Sequence, residues 1–340
     1  MSYPQRSIPA ALTLFFLAPL VAEYLLGDLP ITLLVALIML APMYGGGALL
    51  IRELTRRAGR GWPTILLLGY AYALIEEGFA GQTLFNPNTY GMHLLRFAWI
   101  PSLGIGAWWT IFMLNVHPFW SIGVSIALAE GLFPARARTP WLGKIGTAVV
   151  ALVYAIGVVA NTAYAYHQSH FRASNTQFLV TAMLTILFVI AAFLLPSRAA
   201  SATPGRVPSP WLTGAAAFVL GAVVFFSLPI GAVFFFALPN WNWGAVAIML
   251  AADLVFLISV GAMARRSGWT PLHTLSLAAA GAIFYGLHAF TGNGVVHAPH
   301  WIVRTGNAIF LALAITVIVL AVRRTRSALL AGSSYARAES

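Results

Sequence analysis

Apolar stretches of about 20 residues, separated by short polar loops, follow one another along almost the whole chain. A transmembrane α-helix needs about 20 consecutive apolar residues to cross the hydrocarbon core of a bilayer. By this rule the pattern predicts an all-α fold, a polytopic membrane helix bundle of about ten transmembrane helices. The ten segments lie at residues 8–26, 31–51, 62–80, 107–130, 145–166, 178–195, 211–237, 245–263, 273–290 and 307–322.

The seventh segment, residues 211–237, is the longest and contains Ser227-Leu228-Pro229. A proline in a helix interior removes a hydrogen bond and bends the helix. We therefore expect either one helix kinked at Pro229 or a shorter helix followed by a re-entrant stretch. Two full crossings are excluded because they would invert the later loops and spoil the charge pattern described next.

Basic residues concentrate in every second loop. One set of loops holds Arg6, Arg52, Arg56, Arg57, Arg60, Arg136, Arg138, Lys144, Arg198, Arg206, Arg265, Arg266, Arg323, Arg324, Arg326 and Arg337. The other set holds Arg96, Arg172 and Arg304. Cytoplasmic loops carry the excess of Lys and Arg, so both termini are predicted to be cytoplasmic. The net charge of +11 then reports topology, and we predict no nucleic-acid partner.

Composition agrees with a membrane protein and divides the chain into four parts. Charged residues make up 8% of the chain, whereas a soluble domain has about 25%. Residues 1–195 are predicted to hold helices 1–6 and residues 211–322 helices 7–10. Between them, the Ser-, Ala- and Pro-rich segment 196–210 is predicted to be a cytoplasmic linker. Residues 323–340 are expected to form a disordered basic tail.

The residue usage also indicates a compartment. The chain has no cysteine, which excludes disulfides and thiol chemistry. Arginine outnumbers lysine eighteen to one, a bias typical of GC-rich bacterial genomes. We predict a multi-pass protein of the bacterial plasma (inner) membrane, with membrane lipid as its surrounding partner.

Two adjacent glutamates, Glu76 and Glu77, stand inside the third apolar segment. The whole chain has only eight acidic residues. An ionisable side chain at the centre of a bilayer costs roughly 2.5–3.5 kcal/mol on insertion scales, and such residues mark functional sites by default. The pair is therefore the strongest functional signal in the sequence.

Other intramembrane polar residues are predicted to lie at a similar depth. A rise of about 1.5 Å per residue places six of them in one slab in the outer half of the membrane. They are Glu23, Glu76, His117, Asn161, Asp253 and His288. This placement predicts a polar cavity open toward the outside.

Helical faces extend the candidate site. On the fourth segment, Thr110, His117, Ser121 and Ser125 follow spacings of seven and four, which form one polar stripe. Tyr72 shares a helical face with Glu76. We predict that Glu76, Glu77, His117 and His288 exchange protons or activate water. The predicted binding residues are Tyr72, Asn161, Asp253, Ser121 and Glu23.

Histidine pairs in the outer loops offer a different chemistry. His167 and His170, and likewise His297 and His300, have the HxxH spacing. Such pairs can bind zinc or copper, but loops near a membrane surface often carry histidine without metal. We predict no metal site and no cofactor.

Three short patches resemble the CAAX-protease and bacteriocin-processing (CPBP) family of intramembrane proteases. Glu76-Glu77 matches the start of its Glu-Glu-x-x-x-Arg motif, although Gly81 stands where the arginine belongs. Phe284 to His288 matches Phe-x-x-x-His, and His117 matches the histidine of His-x-x-x-Asn, in a different order along the chain. The resemblance implies a membrane protease in which one glutamate activates water and the histidines assist it.

Three classes of function fit these observations. The first is a proton-coupled permease of an unknown small solute, with Glu76 or Glu77 as the protonation site, and the short loops favour it. The second is an intramembrane hydrolase that uses the same residues. The third is a non-catalytic scaffold in which the polar groups hydrogen-bond helices together.

Overall fold

The computed structural model of the protein describes residues 7–195, 202–292 and 294–338, with side chains described as far as residue 331. Within these residues the fold consists of eleven helical elements. They are α1 (Ile8–Leu25), α2 (Ile31–Arg57), α3 (Trp62–Leu74 continued by Ile75–Ala80), α4 (Ala107–Leu132), α5 (Lys144–Ser169), α6 (Asn175–Leu194), α7 (Pro210–Phe225), α8 (Ser227–Phe235), α9 (Trp241–Met263), α10 (Pro271–His288) and α11 (His300–Ala338).

The predicted all-α, polytopic membrane helix bundle is confirmed. Seven helices are long and apolar enough to cross a membrane, namely α1, α2, α4, α5, α6, α9 and α11. The bent pair α7–α8 becomes an eighth if it is one span. Helices also form at the other two predicted segments, but α3 and α10 fall outside this apolar set, and α3 carries the glutamate pair.

Helix α4 lies at the centre of the bundle. In its most apolar 18-residue window, 72% of the residues are buried, compared with 11% in α5 and in α6. It packs against α1, α3, α10 and α11. Helices α5 and α6 instead expose apolar side chains such as Ile145 and Leu194, as a surface in contact with lipid requires. The interior around α1 to α4 is therefore the place where buried polar groups meet.

The seventh predicted segment is broken rather than gently kinked. Helices α7 and α8 meet at 67° around Phe226. The break lies three residues before Pro229, which occupies the first turn of α8, where its missing N–H is not needed. Ser227 accepts a hydrogen bond of 2.8 Å from the indole nitrogen of Trp108, which fixes the bend against α4.

The long connection between α3 and α4 is a structured loop. It contains the antiparallel strands β1 (Trp99–Ile100) and β2 (Ile105–Gly106) and two short 3₁₀ turns (Thr89–Gly91 and Leu94–Arg96). A further 3₁₀ turn, Pro134–Arg136, follows α4.

The predicted disordered tail differs from the structure. Helix α11 continues to Ala338, and at Arg324 and Thr325 it contacts the end of α4. Arg324 donates to the carbonyl of Leu132 at 2.9 Å, and Thr325 is buried. The predicted linker lies partly outside the described residues; from residue 202 onward it is an extended segment that leads into α7.

Candidate functional site

Four π-helical segments interrupt the first four helices. They are Leu20–Leu25 in α1, Ala41–Gly45 in α2, Ile75–Ala80 in α3 and Val116–Val124 in α4. A π turn widens the helix locally and is frequently found at functional sites. Each segment here carries a polar residue of one group, which we call the Glu/His cluster. Its members are Glu23, Tyr44, Glu76, Glu77 and His117.

Prolines explain three of these π segments. Pro19 directly precedes the first, Pro42 lies in the second and Pro118 in the fourth. Proline has no N–H to donate to the residue four positions earlier, and its ring displaces that carbonyl. The helix therefore widens at each proline. Pro118 also lies where α4 comes close to α3. The glycine at position 69 of α3 allows this approach, since a Cβ at Gly69 would lie 2.8 Å from Pro118.

His117 lies between the two glutamates. Its Nδ1 is 3.1 Å from Glu76 Oε2, and its Nε2 is 2.7 Å from Glu77 Oε1. Glu76 and Glu77 are each 6% exposed, and His117 is 3% exposed. The imidazole therefore bridges two buried carboxyl groups, with one ring nitrogen turned to each.

The cluster extends on both sides of this bridge. Glu77 accepts a hydrogen bond from the hydroxyl of Thr83, in the loop after α3. Tyr44 donates to Glu23 Oε1 at 2.6 Å, and its ring stacks on that of His117 with centroids 6.4 Å apart. Carboxyl, imidazole and phenol groups thus follow one another from the loop between α3 and α4 into the helix bundle.

Three buried polar atoms in and beside the cluster have no hydrogen-bond partner among the described residues. They are Glu76 Oε2, His117 Nδ1 and the hydroxyl of Tyr72. The Tyr72 ring lies 5.9 Å from that of His117. An unsatisfied buried polar group costs about 1–3 kcal/mol. The cluster is therefore suited to bind a further small polar species, such as a proton, a cation or a water molecule.

The cluster also contains a possible cation-binding group. Glu76, Glu77 and His117 each offer one ligand atom, and these atoms lie within 4.8 Å of one another. Two carboxylates and an imidazole are a donor set that divalent metals accept. Among the described residues, the HxxH histidines do not belong to a group of three such ligands.

Several predicted site residues lie elsewhere. The His288 ring packs against Phe225, Phe226 and Phe284. Asn161 donates to backbone carbonyls at Met39 and Gly157, so it joins helices.

Two more predicted residues lie on or beside α4 but outside the cluster. Asp253 accepts a hydrogen bond of 2.8 Å from Asn115. Ser121 is buried in α4, four residues beyond His117. The structure therefore brings together Glu76, Glu77, His117 and Glu23, with Tyr72 beside them. The expected outward-open cavity is replaced by a buried cluster.

A second group of buried charges, missed by the sequence reasoning, lies at the predicted cytoplasmic ends of α2 and α4. We call it the Arg/Glu network. It consists of Arg52, Glu53, Arg56, Glu130 and Trp141. Arg52 and Glu53 are fully buried, and Glu130 is 8% exposed. The signal in the sequence was the pairing of these acids with arginines at the ends of two otherwise apolar segments.

Every charge in the Arg/Glu network has a partner. Arg52 donates to Glu53 at 2.8 Å and to Glu130 at 3.1 Å, and its guanidinium lies 3.3 Å from the ring centroid of Trp141. Arg56 binds both oxygens of Glu130, at 2.8 and 2.7 Å. Glu53 also accepts from the backbone N–H of Trp141 at 2.7 Å. The network contains two arginines and two glutamates, so its formal charges balance.

Asp28 lies in the loop after α1, close to Glu23. Burial, followed by the negative charge of Glu23, raises the pKa of the Asp28 carboxyl. The backbone carbonyl of Asp28 accepts from Val295 at 3.1 Å, which joins this loop to the segment before α11.

The comparisons with known proteins give a family but no activity. No curated protein and no solved structure matches the chain. The resemblance to CPBP proteases therefore finds no support among them. One family model does match, over residues 12–331, which is almost the entire chain. The protein belongs to the family described as an uncharacterized membrane protein family.

Proposed function

We propose that the protein is a proton-coupled permease for a small solute, and that Glu76, His117 and Glu77 form its proton site. The observation that carries the proposal is the charge imbalance of the Glu/His cluster. It holds three carboxyl groups, of which those of Glu76 and Glu77 are buried and that of Glu23 is partly buried, and a single imidazole that can be cationic. A buried uncompensated charge is very costly. The cluster therefore requires protons or a bound cation.

The geometry favours proton exchange. An imidazole can accept a proton at one nitrogen and release one from the other. His117 has a carboxyl group within 3.1 Å of each ring nitrogen. His117 already makes a hydrogen bond to Glu77, and a rotation that aligns its Nδ1 with Glu76 Oε2 would complete a path for a proton between the two glutamates. Thr83 connects Glu77 to the outer loop, from which the proton would enter.

The surrounding helices offer a means of coupling. The cluster residues lie on π-helical segments of four different helices. A change in cluster charge therefore acts on α1 to α4 at once, at positions where the helical hydrogen-bond pattern is already irregular. Movement of these helices against one another would open a path for the solute.

Proteoliposomes test this function directly. Wild-type protein is reconstituted with a pH-sensitive dye inside the vesicles, and gradients of sugars, amino acids, carboxylates and organic cations are applied in turn. We expect at least one solute to drive proton movement in the wild type and none to do so in Glu77→Gln. Folded wild-type protein that moves no protons with any of these solutes would contradict the proposal.

An intramembrane hydrolase is the second candidate. It is favoured by the 3.1 Å approach of Glu76 Oε2 and His117 Nδ1, two buried atoms without a hydrogen-bond partner. A water molecule that lies beside this pair, within hydrogen-bond reach of both atoms, could lose its proton to either of them as general base. Turnover of a fluorogenic membrane peptide that disappears in both Glu76→Gln and His117→Ala would favour this function over transport.

A further inference from the structure

A cavity of about 170 Å³ lies among α3, α4, α7, α9 and α10, apart from the Glu/His cluster. No member of that cluster lines it. Trp62 and Trp269 lie at its end near the predicted cytoplasmic ends of α3 and α10, and Asp253 lines it midway along α9. The cavity thus leads from the predicted cytoplasmic side toward one acidic side chain.

The walls of the cavity are aromatic and apolar. Phe119, Trp120 and Phe256 line it together with the two tryptophans at its end. Asp253 is the one ionisable residue among its lining residues. An isolated carboxyl group in an otherwise apolar, membrane-embedded wall is an expensive arrangement that indicates function.

Asp253 has an orienting partner but no counter-charge. The side-chain amide of Asn115, itself buried, donates to Asp253 Oδ2 at 2.8 Å. No arginine, lysine or histidine among the described side chains forms an ion pair with Asp253. The carboxyl group is therefore held in place, with its charge available to a ligand.

Trp120 provides an aromatic wall of the same cavity. The ring is fixed by stacking on Tyr285 at 5.9 Å and by contact with Gly221, where an added Cβ would lie 3.1 Å from the ring. A rigid aromatic face thus borders the same cavity as the carboxyl group.

We propose that this cavity binds a small apolar organic cation, with the cationic nitrogen at Asp253 and the apolar body against Phe119, Trp120 and Phe256. Aromatic faces attract organic cations, as in the sites that bind quaternary ammonium groups. A metal ion does not suit these walls, because hard cations need six or more oxygen ligands. The site does not depend on whether the Glu/His cluster carries protons.

The test compares two probes of the same shape. Phenyltrimethylammonium carries a positive charge, and tert-butylbenzene is its neutral isostere. Binding of each to the purified full-length protein is measured by calorimetry, without any gradient. We expect the cation to bind about tenfold more tightly than the neutral probe, since a desolvated cation over aromatic rings gains further attraction.

Two variants locate the binding site. Asp253→Asn is expected to weaken binding of the cation about tenfold and to leave the neutral probe unchanged, because only the charge attraction is lost. The matched control, Asp28→Asn, makes the same Asp-to-Asn change in the loop after α1, which does not line the cavity, and should not alter binding of either probe. Equal binding of both probes, or cation binding unaffected by Asp253→Asn, would overturn the proposal and indicate a cavity filled by lipid chains.

A further variant keeps the test decisive if Asp253→Asn does not fold. Phe256→Leu removes an aromatic face but keeps an apolar side chain. It should weaken binding of the cation and leave binding of the neutral probe unchanged. Equal weakening of both probes would contradict cation recognition. Because calorimetry measures binding alone, a failure of proton-coupled transport would leave these results intact.

Discussion

Two groups of buried charges lie along the same helices, and they are built in opposite ways. The Arg/Glu network has two arginines and two glutamates, and its ion pairs span 2.7–3.1 Å. The Glu/His cluster has three carboxyl groups and one imidazole, and it leaves buried atoms without hydrogen bonds. His117 and Glu130 lie on one helix, thirteen residues or about 20 Å apart.

The difference separates structural charge from functional charge. A buried ion pair with every hydrogen bond made fixes geometry, and removal of one partner is strongly destabilising. A group that must gain and lose a proton cannot have its charge fully balanced in one protonation state. Such a balance would stabilise that state and oppose the change to the other protonation state. Balanced charges at one end and unbalanced charges at the other thus assign anchoring to the network and chemistry to the cluster.

Loss of Arg52 should have the largest effect. Arg52→Ala leaves Glu53 and Glu130 buried without their main partner, so we expect roughly 3–5 kcal/mol of destabilisation. Thermal unfolding and folded yield in detergent measure it. Arg57→Ala is the control, because that side chain is 34% exposed and lies 3.7 Å from Glu53. Similar losses of stability in both variants would show that the buried Arg/Glu network contributes no more than an exposed ion pair.

The same substitution in both regions sharpens the comparison. Glu77→Gln should reduce solute-driven proton movement about 100-fold, since a proton-transfer group is lost, and should leave the unfolding temperature close to that of the wild type. Glu53→Gln should lower the unfolding temperature instead, because it weakens contacts with Arg52 and with the N–H of Trp141. If Glu77→Gln lowers stability as much as Glu53→Gln does, the cluster is structural.

The π-helical geometry predicts an effect of intermediate size. Pro118→Ala restores an N–H next to His117 and allows an ordinary α turn, which would rotate the imidazole away from Glu76 and Glu77. We expect proton movement to fall about tenfold, because small misplacements of a reacting group are costly. The fold should be unaffected or more stable. Unchanged proton movement would mean that the π segment does not position His117.

Asp28 should give the smallest effect, on pH dependence. Its pKa is raised in the folded protein, so the fold binds its proton more tightly than the unfolded chain does. This contribution to stability is complete below the unfolded pKa of about 3.9. It is lost as the pH rises through the raised value. As the pH rises from mildly acidic to neutral, Asp28→Asn should therefore lose less stability than the wild type does. Thermal unfolding of both proteins measures this. Identical pH profiles would contradict the assignment.

The sequence predicted the helices well, because about 20 apolar residues have few alternatives in a bilayer. It also identified Glu76, Glu77 and His117 as candidates, because ionisable residues are rare in membrane-spanning segments. Depth along the membrane normal does not give the direction in which a side chain points around its helix. His288 and Asp253 were therefore expected to converge with the glutamate pair, but the structure places them against other residues.

Local helix geometry and side-chain partners were harder to predict. The π segments rotate Tyr44 and His117 in a way that a regular 3.6-residue repeat cannot show. Glu53 beside Arg52 reads as a surface pair, since burial depends on the loop after α4, which brings Trp141 over the guanidinium. The contacts that bury these charges, such as Arg56 to Glu130 and Trp141 to Glu53, join segments far apart in sequence.

The most direct test of the account is a carboxyl titration by infrared difference spectroscopy. Wild-type protein is compared with Glu76→Gln and Glu77→Gln, and with Glu130→Gln from the balanced network if that variant folds. The account predicts a protonated-carboxyl band that changes with pH in the wild type, disappears in at least one cluster variant and persists in Glu130→Gln. A wild-type spectrum without such a band, with both cluster variants folded normally, would contradict the claim that the Glu/His cluster exchanges protons.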